Sequence, residues 1–280
     1  MGFFKGLRRD PEAVRQRRPG FHLLKAKRGL GSIVLPPSTN NRALLDPARG
    51  GPGVLDQGPT NSCVGHAHAS GITLRYAIEG RPIPLVSPIG IYTVARMISR
   101  APRADGTLPL LSDDGTEPGL AILGMSEWGV ASAATWGNYP ASPSTINNEP
   151  SIQELEAAGE FKLDGAYFMQ ETGDLLCRDL MTAMAAGYPV TSAIAASSGA
   201  FEGYQGGVLG ALDDDIDHAT LWLDYERWNG SDLSKVVFWG VNSWNVTWGQ
   251  AGLYEFSRDF GVKYGGDACV LQISSAGSEV

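Results

Sequence analysis

The chain has 280 residues, 43% hydrophobic and 9% aromatic, enough to fill one large domain or two small ones. No apolar run approaches membrane-spanning length, and 36 glycines with 17 prolines argue against a helical bundle and for short elements joined by irregular connections. The net charge of −8 is uneven: residues 1–28 hold nine Lys or Arg against Asp10 and Glu12, leaving 13 basic and 28 acidic residues in 29–280.

A basic N-terminal arm (1–32) therefore precedes an acidic body (33–280). The arm can be solvated, can lie on its own acidic body, or can dock its residues 1–28 on an assembly partner or on nucleic acid. It begins MGFFKGLRRDPEAV, charged but without the apolar run of a secretory signal. Cys63, Cys177 and Cys269 are too few and too widely spaced for a disulfide framework. Cytoplasmic or virion-associated residence is the expectation, with no membrane contact.

Residues 29–59 are rich in Gly, Pro and Asn and read as an extended lead-in. From Asn61 the pattern changes, since Cys63, Ala67, Gly71, Leu74 and Ile78 fall at helical spacing before the stop at Gly80-Arg81-Pro82. A second helix is expected over about 118–128, with Pro118 in its first turn, and a third over about 175–186, capped by Asp174. The Ser/Asn/Pro stretch 136–151 reads as a connector. Beyond residue 188 the period falls to two, and PVTSAIAA, HATLWLDY, KVVFWGVNS and GLYEF read as strands, with Trp239 in the core by alternation. Helices first and strands later give an α+β fold, a helical lobe over about 55–165 and a β-rich lobe over about 166–280 that takes in the lead-in. Asp213, Asp214 and Asp215 form a solvated loop, with a Ca²⁺ site as the alternative.

Cys63 stands where a helix begins, after the polar turn DQGPTNS. Unpaired N–H groups and the positive end of the helix dipole favour a thiolate there, the nucleophile that amide acyl transfer needs. Four histidines are candidate partners. His22 lies in the arm, and His66 is three residues along the same helix, at a poor angle for a shared substrate. His68 and His66 give C-x-x-H-x-H spacing with Cys63, but no second ligand cluster completes a metal site. His218 opens the segment HATLWLDY, whose expected hairpin partner is KVVFWGVNS. A register that pairs Tyr225 with Lys235 sets His218 opposite Asn242, whose carbonyl would fix the imidazole tautomer, with Trp244 covering the bond.

At this point four segments resemble the papain family of cysteine peptidases. VLDQGPTNSCVGHA is similar to that family's QGxCGSCWAF, with Gln57 six residues before Cys63. FEGYQGGVL, DHATLWLDY and NSWNVTWGQAGLYEF are similar to its FxxYxGGIF, DHAVxxVGY and NSWGxxWGExGYxxI, and the resemblance covers residues 33–272. It implies a two-lobed papain-like fold, the helical lobe carrying the nucleophile and the β-rich lobe carrying His and Asn. It further implies Cys63 as nucleophile, His218 as base, Asn242 as its orienter and Gln57 in the oxyanion hole. Gly115, Val190, Asp217 and Trp244 would line the substrate cleft, and neither metal nor cofactor is needed.

Three positions depart from the pattern: Thr60 replaces a disulfide cysteine, Val64 a tryptophan and Asn245 a glycine. The implied activity is peptide-bond hydrolysis through an acyl-enzyme on a peptide or protein substrate. Two alternatives stand beside it, a non-catalytic papain-fold component of a larger assembly such as a phage virion, and transfer of the acyl group to another acceptor. The stretch before Cys63 is short for the long helical propeptide of this family, so control by location, partner or narrow specificity is expected.

Overall fold

The computed structural model of the chain describes residues 7, 18–130, 132–136, 142–158, 161–212 and 215–273. Among them, α1 (Phe21–Arg28) and a lead-in precede α2 (Cys63–Ile78), α3 (Pro88–Ser99), α4 (Pro118–Glu127) and α5 (Ile152–Ala158). Then come β1 (Leu163–Phe168), α6 (Gly173–Ala185), β2 (Val190–Ile194), α7 (Gly199–Glu202) and β3 (Val208–Leu209). The chain continues with β4 (His218–Glu226), β5 (Val237–Val241), β6 (Leu253–Ser257), α8 (Arg258–Tyr264) and β7 (Cys269–Ile273). The described strands form one sheet in the order β1-β7-β2-β4-β5-β6-β3. The mixed α+β expectation holds.

Helix α2 begins at Cys63 and ends at Ile78, and every residue from Cys63 to Leu74 is buried. It lies between helices and sheet, which its glycines make physically possible. A Cβ on Gly65 would fall 2.1 Å from the Pro88 carbonyl oxygen, and one on Gly71 would fall 3.3 Å from Leu221 of β4. Gly65 thus admits α3 at close range, and Gly71 seats α2 on the sheet. Helix α3 is absent from the sequence expectations although its Thr93, Arg96 and Ser99 fall at helical spacing, and it is buried from Pro88 to Arg96. Its start does carry a signal: Ser87 Oγ accepts from Gly90 N at 3.0 Å, with Pro88 in the first turn. Helix α6 begins at Gly173 with Thr172 as its N-cap, so the cap falls earlier in the chain than the Asp174 expected.

The β4–β5 pairing corrects the expected register. Tyr225 faces Phe238 and Leu221 faces Val241, with a bulge between, so Lys235 is not opposite Tyr225. At the bulge the stretch from Trp222 to Asp224 spans only Gly240 and Trp239 on β5. Trp239 is a second correction: it is only half-buried, and the Arg42 guanidinium lies 4.3 Å from its ring centroid.

The lead-in is less free than its composition suggests. Asp224, fully buried on β4, accepts from Asn41 N at 2.6 Å and from Arg42 N at 2.8 Å, while Thr39 N donates to the Tyr225 carbonyl at 2.9 Å. Burial pushes the Asp224 carboxyl upward, opposed by these N–H donors. Part of the basic arm is likewise packed. Phe21 and Leu24 of α1 are buried in the core with Leu176 and Leu180 of α6, and Lys25 Nζ sits 2.6 Å from the Asp179 carboxylate. Residues 18–28 therefore lie on the acidic body, held by apolar burial and an ion pair. No described helix is long and apolar enough to cross a membrane. Asp213, Asp214 and residues 137–141 of the connector lie outside the described residues, and Asp215 is exposed.

Candidate active site

His218 is the first residue of β4, and Asn242 is the first residue past the end of β5. Their side chains meet with His218 Nε2 2.7 Å from Asn242 Oδ1, both residues buried. The pairing expected from sequence is present although the register that suggested it is not. Asn242 has left the ladder: its backbone N–H donates to the Gly252 carbonyl at 2.9 Å, and its Oδ1 also accepts from Ser243 N at 2.8 Å. An amide oxygen so placed accepts a hydrogen bond from Nε2–H, which leaves Nδ1 as the ring nitrogen for exchange with a thiol. Trp244 lies over the imidazole, ring centroids 4.8 Å apart, and Phe201 packs edge-on against Trp244 at 5.6 Å. This aromatic cover keeps water from competing for the His218–Asn242 bond.

Cys63 opens α2, so its backbone N–H belongs to the helix start rather than to the ladder. The turn before it is held by reciprocal bonds. Gln57 Nε2 donates to the Thr60 carbonyl at 2.7 Å, and Thr60 Oγ1 donates to the Gln57 carbonyl at 2.7 Å. Thr60, at the position where the papain pattern has a disulfide cysteine, thus closes the turn with its hydroxyl. Gln57 also ties this turn to the histidine side: its Oε1 accepts from Ser243 Oγ at 2.7 Å and its backbone N–H donates to the Ser243 carbonyl at 2.9 Å. Asp56 bridges to Trp244 beside it. One residue before Ser243 stands Asn242, so these bonds join the Cys63 turn to the His218–Asn242 pair. Asn245, in place of glycine, has φ of 56°, a left-handed position that Asn tolerates best after Gly, and its amide donates to Asp56 Oδ2 at 3.3 Å.

His66 and His68 are turned to local uses. His66 Nδ1 lies 2.9 Å from the Ser62 carbonyl, and His68 Nδ1 lies 2.8 Å from the Val64 carbonyl, each one helical turn back. Burial pushes the His66 imidazole down to about 4, so it stays neutral at working pH and cannot supply a cation to a thiolate. No cluster of metal-ligating side chains occurs among the described residues.

The cleft residues fall into two groups. Gly115, with φ of +81°, and Thr116 form an edge on one side of Leu7, and Asp217 stands on the other. Leu7, from the arm, lies between them: it makes a parallel bridge to Thr116, and its N–H donates to the Asp217 carbonyl at 3.2 Å. Its side chain is buried in the same cluster as Cys63, Val64, Ala67, Ala193 and Ala219. The Asp217 side chain accepts from Ala196 N at 2.7 Å and from the Ser197 hydroxyl, which fixes the loop that delivers His218. Trp244 sits at the histidine as expected. Val190 does not reach this cluster. It is wholly buried in the core, paired with Trp222 and Val270, and the β2 residue in the cluster that holds Cys63 and Leu7 is Ala193. Strand alternation separates the two positions, since residues an odd number apart face opposite sides.

Leu7 is thus held between Thr116 and Asp217, in the buried cluster that contains Cys63. Removing residues 1–17 is expected to speed labelling of Cys63 by a bulky thiol reagent by about tenfold or more, the scale set by one buried leucine. Mass spectrometry after timed labelling measures it. An unchanged rate would mean that the arm does not cover the site.

Residues 138–274 match the family described as papain family cysteine protease. In curated proteins, cysteine proteinase COT44 of Brassica napus is 34% identical over 88 residues, 31% of this chain and 25% of that protein. Procathepsin L of Felis catus is 31% identical over 85 residues, 29% of this chain and 25% of that protein. The chain thus matches about a quarter of the length of these relatives. Among solved structures, xylellain, a cysteine protease from Xylella fastidiosa, superposes with a TM-score of 0.70 at 20% identity, covering 98% of this chain and 99% of xylellain. A procathepsin B from Trypanosoma congolense gives 0.70 at 15% identity, covering 97% and 87%. The chain is papain-like in fold over nearly its whole length, and papain-like in sequence over its C-terminal half.

Proposed function

We propose that this papain-like chain is a cysteine peptidase that hydrolyses peptide bonds through an acyl-enzyme on Cys63. The observation that carries the proposal is the buried His218 Nε2 to Asn242 Oδ1 contact at 2.7 Å, roofed by Trp244. A histidine held so is oriented for proton transfer, which a merely structural core histidine does not require. In the proposed reaction the Cys63 thiolate attacks the scissile carbonyl carbon, and the carbonyl π electrons move to oxygen. Collapse of the tetrahedral intermediate forms a thioester, and the His218 imidazolium gives its proton to the departing amine. Water then attacks the thioester, with neutral His218 taking its proton, and the thiolate is released with the carboxylic product.

The oxyanion of both intermediates would be held by Gln57 Nε2–H and the Cys63 backbone N–H, each contributing on the order of 3 kcal/mol when preorganised. The bonds that fix Gln57 Oε1 to Ser243 set the orientation of this amide before substrate arrives. Peptides and proteins are the substrate class. Nothing in the geometry favours the alternative of a non-catalytic assembly component, in which an oriented and covered histidine would have no use. The test is hydrolysis of an unfolded protein by the purified chain, with and without one equivalent of alkylating reagent on Cys63. Hydrolysis that survives complete alkylation of Cys63 would refute the proposal.

A further inference from the structure

The edge formed by Gly115 and Thr116 is where a segment of this chain already lies on the site, through the Leu7–Thr116 bridge. What holds that edge is a relay of hydrogen bonds running back to the nucleophile. The Gly115 N–H donates to Tyr92 Oη at 3.0 Å, and the Tyr92 hydroxyl donates to Asp113 Oδ1 at 2.7 Å. Both Asp113 oxygens accept from the Asn61 N–H at 3.1 Å, and the Asn61 side-chain amide donates to the Asp113 carbonyl. Asn61 is two residues before Cys63. The path from the peptide edge to the start of the nucleophile helix thus runs through two side chains, Tyr92 and Asp113.

Tyr92 is suited to the middle of that path. Its ring is buried in α3, and the Arg96 guanidinium lies over it at 4.0 Å from the centroid. Arg96 also donates to the Ser112 carbonyl at 2.7 Å, which anchors the other end of the same loop. Burial raises the Tyr92 phenol far above its ordinary value, so the hydroxyl keeps its proton and remains a donor to Asp113 while it accepts from Gly115. Gly115 has a left-handed backbone, a conformation that glycine adopts freely, so it is the bond to Tyr92 that holds the loop at this point. No disulfide joins the loop to the helix, since none of the three cysteines forms one.

We infer that Tyr92, acting through Asp113, is a positioning residue that sets the Gly115–Thr116 edge against Cys63, and so governs peptide recognition without taking part in the chemistry. The inference rests on the peptidase proposal above. It assigns Tyr92 to binding: its loss should raise KM far more than it lowers kcat.

The test compares two reagents on the full chain, iodoacetamide, which has no peptide portion, and an epoxysuccinyl-leucyl peptide, each read by mass at Cys63. In Tyr92→Phe the ring and its packing remain, while the Gly115 N–H and the Asp113 carboxylate lose their common partner. The ratio of peptidyl to iodoacetamide rate constants is expected to fall about tenfold, the loss of one to two hydrogen bonds. A ratio within twofold of wild type, or a higher one, overturns the inference, because a role confined to holding the fold would move both rates together. If Tyr92→Phe fails to fold by circular dichroism, Asp113→Asn, which keeps the volume and removes one acceptor, is measured in its place: a tenfold lower ratio supports the inference and a ratio within twofold overturns it. The two failures are distinguishable. A wild type that gains nothing from the peptide portion both in the full chain and after removal of residues 1–17 sinks the peptidase proposal and this inference with it, whereas a variant that discriminates as well as wild type sinks the inference alone.

Discussion

Cys63→Ala is expected to lower peptide hydrolysis by at least about four orders of magnitude, the scale on which loss of a covalent nucleophile acts. No neighbouring group can take its place: Ser62 Oγ is held 2.7 Å from Thr60 Oγ1, and His66 Nδ1 is committed to the Ser62 carbonyl. The fold should survive. Alanine is the best helix former, Cys63 is the first residue of α2, and the lost sulfur leaves a small void, so the cost is on the order of 1 kcal/mol. Activity and thermal midpoint measured on the same preparation separate the two effects. Residual hydrolysis above about one part in a thousand would assign the chemistry to another residue.

His218→Ala should come close to that loss, about three to four orders of magnitude, by a different route. The thiol remains, but nothing is left to take its proton or to protonate the leaving amine, and the Asn242 carbonyl and the Trp244 face lose the ring they hold. This substitution costs stability as well, roughly 2–4 kcal/mol for an emptied aromatic-sized site in the core. Turnover must therefore be compared at a temperature where circular dichroism shows both proteins folded. The discriminating sign is the pH profile. Wild type should hold its activity down to about pH 6, lose it at lower pH as the thiolate is protonated, and lose it at high pH as the imidazolium gives up its proton, whereas the residual activity of the variant should rise with hydroxide. A variant that retains the wild-type profile would show that His218 is not the base.

Much of the site is legible in the sequence because its geometry is local. The spacing of Cys63, Ala67, Gly71 and Leu74 fixes one helix face, and α2 starts and ends where that spacing and Gly80 require. Gln57 lies in the same turn as Cys63. The His218–Asn242 contact shows the limit of such reasoning. A plain hairpin register suggests it, but β4 carries a bulge that shifts the ladder, and the contact forms because Asn242 steps out of β5 and bonds to Gly252. A bulge leaves no periodic mark to find.

The features that escape a sequence reading depend on long-range packing. Helix α3 carries a polar stripe at Thr93, Arg96 and Ser99, but that spacing does not show which distant residues Tyr92 bonds, so its relay leaves no trace in the pattern. Strands β1 and β7 join residues more than a hundred positions apart. The resemblance assigns Val190 to the cleft; Val190 is buried in the core with Trp222 and Val270, while Ala193, three positions along β2, belongs to the cluster that holds Cys63. Trp239 follows strand alternation onto a face that Arg42 covers only in part. The arm reads as charge alone, whereas Phe21 and Leu24 dock α1 on α6 and Leu7 lies at the site.

The central claim is that Cys63 and His218 act as one unit, and the most direct measurement is the pH dependence of Cys63 alkylation by iodoacetamide in wild type and His218→Ala. A thiolate stabilised by a helix start and a neighbouring imidazolium stays reactive well below the range of an ordinary thiol. Wild type should therefore keep most of its neutral-pH rate down to about pH 6, while the variant loses its rate steeply over the same span. The shape of the profile is independent of how far Leu7 limits access. A wild-type rate that falls as steeply as the variant's would contradict the account, since Cys63 would then titrate as an ordinary thiol, indifferent to His218.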